Sequence, residues 1–81
     1  MTAGEVFDWL QAKGSWTATT GREVAKHFNV SNVAAWKLLA LWTERNAWTR
    51  EFVGGEWWYT VRKDSVRPVN REWGSNRVAH G

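Results

Sequence analysis

The side chains best suited to acid–base or covalent chemistry are few in this sequence, and their spacing does not assemble them. His27 and His80 are the only histidines and lie far apart. Cysteine is absent, which excludes disulfides, zinc fingers and a thiol nucleophile. Glu5 and Asp8 share a helix face, but nothing around them predicts a cleft, so they read as a solvated surface. No glycine-rich phosphate loop precedes a helix, and there is no nucleophile elbow or triad pattern. The expectation is a protein that is not an enzyme and needs no metal or cofactor.

A different chemistry, attraction for a polyanion, is carried by the cations. In residues 1–61, Lys13, Arg22, Lys26, Lys37, Arg45 and Arg50 are matched by Glu5, Asp8, Glu23, Glu44, Glu51 and Glu56. Residues 62–81 hold Arg62, Lys63, Arg67, Arg71 and Arg77 against Asp64 and Glu72, so the whole net charge of +3 falls there. A neutral globule with a basic tail suits a polyanionic partner, and suits equally a tail that only solubilises. The eight tryptophans are the other anomaly. A small domain draws much of its buried area from large aromatics, yet this one is too small to hide them all.

The elements that must position these residues follow from capping and period. Eighty-one residues make one domain with a single modest core. Thr2 and Glu5 form a capping box, and Ala3, Val6, Phe7 and Leu10 an apolar stripe, so a first helix spans about 3–13 and stops at Gly14. Residues 15–19 are rich in β-formers and predict a short strand. A second capping box, Thr20 with Glu23, opens a helix carrying Val24, Ala25 and Phe28 and ending at Asn29. Ser31 caps a third helix that buries Ala35, Leu38, Leu39 and Trp42 and closes at Arg45-Asn46. The period then becomes two: Trp48, Arg50 and Phe52 alternate with Thr49 and Glu51, Gly54-Gly55 turns the chain, and residues 57–61 return as a strand. Residues 64–81 lack periodicity and predict a basic, disordered tail behind a domain of residues 1–63. The N-terminus has no leader pattern, and no apolar run approaches the roughly twenty residues of a bilayer span, so a cytoplasmic protein without membrane contact is expected.

The most specific local signal runs from Glu23 to Ser31 and into the third helix. Two helices that cross closely and steeply need a small residue at the contact, apolar inner faces and a turn residue that accepts positive φ. Ala25 is the small contact, Val24, Phe28, Val30, Ala35 and Leu38 are the inner faces, and Asn29 is the turn. Glycine is usual at that turn; asparagine is a mild departure. With a hairpin directly behind, the predicted class is α+β: a winged helix-turn-helix of three helices and a small three-stranded antiparallel sheet.

From Val24 to Val61 the chain resembles the winged-helix DNA-binding regulators, most closely the small ones that control enterobacterial pilus operons. The resemblance rests on the Ala-x-x-Phe-Asn-Val-Ser turn at 25–31, the leucine-rich Leu38-Leu-Ala-Leu-Trp42 and a glycine-containing wing closed by Trp57-Trp-Tyr. It implies that the third helix enters the major groove, with Ser31, Asn32, Val33, Trp36, Lys37 and Ala40 turned outward. Asn32 can then pair with adenine, Val33 and Ala40 can touch a thymine methyl, and Lys37 can reach guanine or phosphate. Arg22 at the start of helix 2, and Lys26, would fix the register on phosphates.

Two features complicate this. An outward tryptophan is unusual on a recognition helix, and three readings of Trp36 stand: tucked under the first strand or the tail, an anchor for a protein or homodimer contact, or a direct DNA contact. The wing, Val53-Gly-Gly-Glu56, has no cation, and Glu51 and Glu56 would repel phosphates. The tail cations Arg62, Lys63, Arg67 and Arg71 can supply the missing attraction. The first expectation is therefore a bacterial or phage transcription regulator that binds double-stranded DNA as a monomer or a DNA-assembled dimer. The alternative is a winged-helix protein-interaction module, such as a phage or plasmid protein docking through Trp36 on a host regulator or polymerase. RNA binding through the tail arginines and aromatics is a third.

Overall fold

A computed structural model describes residues 1–14 and 17–68. It is α+β, with three helices and a three-stranded antiparallel sheet, an arrangement compatible with the winged-helix layout. Helix α1 spans Ala3–Ala12, opened by the expected capping box: Glu5 N–H donates to the Thr2 hydroxyl, and Thr2 N–H donates to the Glu5 carboxylate. Strand β1, Thr19–Thr20, is shorter than predicted and directly precedes α2, Gly21–Phe28. Thr20 caps α2 by accepting from Glu23 N–H. Helix α3, Asn32–Glu44, starts where Ser31 accepts from Ala34 N–H.

The turn between α2 and α3 is built as the residue types require. Asn29 takes the left-handed conformation at φ 57°, and the next N–H, that of Val30, returns to the Ala25 carbonyl at 3.0 Å. Val24, Ala25 and Ala35 are buried, with Phe28, Val30 and Leu38 half-buried beside them. The chain leaves α3 through a second left-handed asparagine, Asn46.

Strands β2, Thr49–Val53, and β3, Glu56–Thr60, form the hairpin, and the sheet order is β1-β3-β2. The register places Arg50 opposite Tyr59 and Phe52 opposite Trp57. These four share one sheet face, because opposed residues and every second residue along a strand point the same way. Tyr59 meets the core there; Trp57 and Phe52 continue the face outward.

Beneath the sheet, Val6, Leu10, Val24, Leu39 and Trp48 are fully buried. Trp48 fastens the hairpin's base to α3 through an indole N–H donated to the Leu39 carbonyl at 3.0 Å. That bond satisfies the one polar atom of an otherwise apolar side chain. Trp42 is buried too, Trp9 and Trp58 are half-buried, and Trp36 and Trp57 are exposed. Among the described tryptophans, the limit on how many the domain can hide falls on that last pair.

The stretch after β3 differs from the expected free tail as far as Pro68. Val66 N–H donates to the Asn46 carbonyl at 2.7 Å, Pro68 is buried, and Arg67 grips Asp8 of α1 with two hydrogen bonds of 2.8 and 3.0 Å. Pro68 gives this segment apolar surface to bury, while Val66 stays exposed and contributes its backbone N–H, and Asp8 supplies the matching charge. The remainder of the predicted tail, residues 69–81, lies outside the described residues.

Candidate nucleic-acid interface

Helix α3 sorts its side chains by angle. At about 100° per residue, Ala35, Leu38, Leu39 and Trp42 fall on the core side, and Asn32, Val33, Trp36, Lys37 and Ala40 fall within an opposite arc of about 140°. The burial follows this division: Val33 and Trp36 are each 54% exposed, Asn32 and Lys37 are exposed, Ala40 is half-buried, and Ala35 and Leu39 are fully buried. Ser31 is exposed at the start of the helix, its hydroxyl oxygen spent on the cap.

Trp36 is 54% exposed, so Thr19–Thr20 and the tail as far as Pro68 do not bury it; the rest of the tail lies outside the described residues. The Trp36 Cβ leaves α3 on the outer arc. The ring finds a partial seat on α2, at Gly21. A Cβ added there would lie 2.7 and 2.9 Å from Trp36 Cδ1 and Nε1, so only glycine lets the edge of the indole settle this close. The rest of the ring stays in solvent.

Between α3 and the hairpin lies a cleft of about 580 Å³. Trp36 and Ala40 line it from α3, Gly21 and Arg22 from the start of α2, and Arg50, Glu56 and Trp57 from the hairpin. The Arg50 guanidinium sits over the Trp57 ring, 4.2 Å from its centroid, and Phe52 meets Trp57 edge-on at 5.0 Å. Arg50 and Trp57, which line the cleft, and Phe52, which packs on Trp57, are not among the contact residues predicted from the sequence. Their signal was present: the two-residue Gly54-Gly55 turn fixes a register that puts all three on one face.

The electrostatics depart from expectation at one pair. Arg22 Nε and Nη2 donate to the two carboxylate oxygens of Glu56 at 2.7 and 2.9 Å. This hydrogen bonding is the main cause that holds the Glu56 carboxyl below, and the Arg22 guanidinium above, its ordinary pKa. The ionised Glu56 carboxylate is therefore offset by the Arg22 charge, and Arg22 is engaged rather than free. Glu51 points to the other sheet face, where with Thr49, Trp58, Thr60 and Arg62 it borders a separate shallow depression.

The predicted contact residues thus divide into groups. Arg22, Trp36 and Ala40 meet in the cleft, whereas Asn32, Val33 and Lys37 are exposed on the same outer arc of α3 without lining it. Lys26 is exposed one turn after Arg22 on α2. Arg62 belongs to the opposite sheet face, Lys63 is exposed beyond β3, and Arg67 is paired with Asp8. Arg71 lies outside the described residues.

His27 is exposed and stacks on Trp9 with ring centroids 4.6 Å apart, a packing role. Among the described residues no cluster of three histidine or acidic side chains could hold a metal, and no helix is long and apolar enough to cross a membrane. Comparison of the chain with family models, curated proteins and solved structures finds no match.

Proposed function

We propose that the chain is a winged-helix regulator that binds double-stranded DNA with α3 in the major groove. The observation that supports this best is the outer arc of α3. A helix of thirteen residues, about 20 Å long, presents Asn32, Val33, Trp36 and Lys37 to solvent on one continuous face. Such a face fits a groove about 12 Å wide, and it carries an amide for adenine, a methyl-contacting valine and a cation. Lys26, exposed on α2, and Arg50, exposed on β2, are the cations that would approach phosphates. Arg22 joins them when it is released from Glu56.

Selection of bound duplexes from a random-sequence pool, followed by titration at several salt concentrations, tests the reading. A selected motif is expected, with Asn32→Ala relaxing the preference at one base pair by about 1–3 kcal/mol. Absence of binding at 50 mM salt, or binding without any sequence preference, overturns it.

A protein-interaction module is the second reading. It is favoured by the exposure of Trp57 (40%), which shares the cleft with Trp36, and of Phe52 (58%), which packs on Trp57, since exposed tryptophan is enriched where proteins dock. Failure of every duplex to bind at low salt is the outcome that would leave this reading standing.

A further inference from the structure

The cleft between α3 and the hairpin offers a chemistry that reading base edges leaves unused. In an intact duplex the bases present hydrogen-bonding rims and hide their faces in the stack. The cleft presents indole rings of its own. Trp36 and Trp57 line it from different elements, 54% and 40% exposed. Each is held: Trp36 by its seat on Gly21, Trp57 by Phe52 and the Arg50 guanidinium.

The charge and shape of the lining narrow the ligand. Arg22 and Arg50 are its cations, and its one acid, Glu56, has both oxygens on Arg22. The balance is positive. Ala40 is the single aliphatic side chain in the lining. An amphipathic peptide helix needs an aliphatic groove for its leucine-type anchors, and the cleft does not provide one. Two indoles and two guanidiniums suit a planar aromatic ring tethered to an anion. A nucleotide whose base has left the stack has both features, and stacking on aromatic side chains is how such bases are held.

We propose that this cleft stacks one unpaired nucleobase, so that the chain prefers DNA containing an unpaired base to an uninterrupted duplex. The inference rests on the nucleic-acid reading given above, and deepens it by assigning the cleft a ligand.

The test uses the full chain and two labelled duplexes identical except for a single bulged thymine, compared by fluorescence anisotropy at one salt concentration. The bulged duplex is expected to bind about tenfold more tightly. Trp57→Ala is expected to bring the ratio of the two affinities to about one, Trp57→Phe to retain most of it, and Arg50→Gln to lower it severalfold. Far-UV circular dichroism confirms that each variant is folded, and the phenylalanine and glutamine variants keep the test decisive if the alanine variant is not. Equal affinity for the two duplexes overturns the inference. So does a bulge preference that survives Trp57→Ala, because it would reflect only the easier bending of bulged DNA. In either case an intact duplex that still binds with Asn32-dependent selectivity preserves the DNA reading. Failure of both duplexes to bind removes both.

Discussion

The Arg22–Glu56 pair makes a quantitative prediction about DNA binding. Of the cations around α3, Lys26, Lys37 and Arg50 carry no carboxylate partner among the described hydrogen bonds and ion pairs, while Arg22 has both donor groups on Glu56. Each phosphate contact contributes about 0.9 to the slope of log affinity against log salt. Three contacts from this surface give a slope near −2.7, and a fourth from a released Arg22 gives about −3.6. Glu56→Gln removes the carboxylate charge while keeping an oxygen that can accept one Arg22 N–H, so the hairpin stays where it is. The variant is expected to steepen the measured slope by about 0.9, whatever the tail adds, because the tail is common to both proteins. Between 200 and 50 mM salt, that is an additional gain in affinity of about 3.5-fold. Anisotropy titrations of one duplex over a salt series measure it. Arg22→Gln placed on top of Glu56→Gln is expected to cancel the gain, closing the double-mutant cycle. An unchanged slope in Glu56→Gln refutes the reasoning. A slope that falls by 0.9 in Arg22→Gln alone refutes it in another way, since Arg22 would then leave Glu56 for phosphate without help.

Two further outcomes follow from the ion pairs and the segment after β3. Glu56 and Asp8 are both held below the ordinary carboxylate range, chiefly by hydrogen bonds from Arg22 and Arg67. A depressed carboxyl adds stability that is fully present above its unfolded pKa and is lost as pH falls through its folded value. Thermal melts should therefore lose stability on acidification through and below the ordinary carboxylate range, and a Glu56→Gln, Asp8→Asn double variant should lose less over that window. A chain ending at Lys63 sacrifices the Val66–Asn46 hydrogen bond, the Arg67–Asp8 pair and the burial of Pro68. It should melt below a chain ending at Pro68, and equal melting temperatures would show that the segment adds nothing to the fold.

The elements whose cause is local were legible in the sequence. Thr2 with Glu5, Thr20 before Glu23 and Ser31 before Ala34 each set a helix start with a side-chain oxygen within three residues. Asn29 and Asn46 each set a helix end by accepting positive φ. Gly54 and Gly55, both at positive φ, turned the hairpin and with it fixed which residues share a face. Tertiary pairing has no such local mark. Glu56 read as a repulsive charge because Arg22, thirty-four positions earlier, gave no sign that the two would meet. Arg67 read as a free tail cation because its partner Asp8 is on the first helix, fifty-nine positions away. In both cases the charges could be counted beforehand, but which charge faces which depends on how α1, α2 and the hairpin pack.

The same distinction explains why the cleft could not be anticipated although its residues could. Alternation along β2 and β3 gathers Arg50, Phe52, Trp57 and Tyr59 on one face, and helical periodicity turns Trp36 outward. Neither says whether a helix closes over that face. The structure leaves the outer part of the face open: Tyr59 is 4% exposed and Trp57, two residues earlier on the same strand, 40%. The hairpin outruns the helices beneath it, and the core stops between those two side chains. Gly21 then decides the shape of what remains, because a side chain at that position would push Trp36 off α2 and into the open space. Substitution at a buried glycine in a helix's first turn would ordinarily be read as a question of helix stability. Here it also sets the position of one aromatic wall of a cleft whose other wall is more than twenty residues further along the chain.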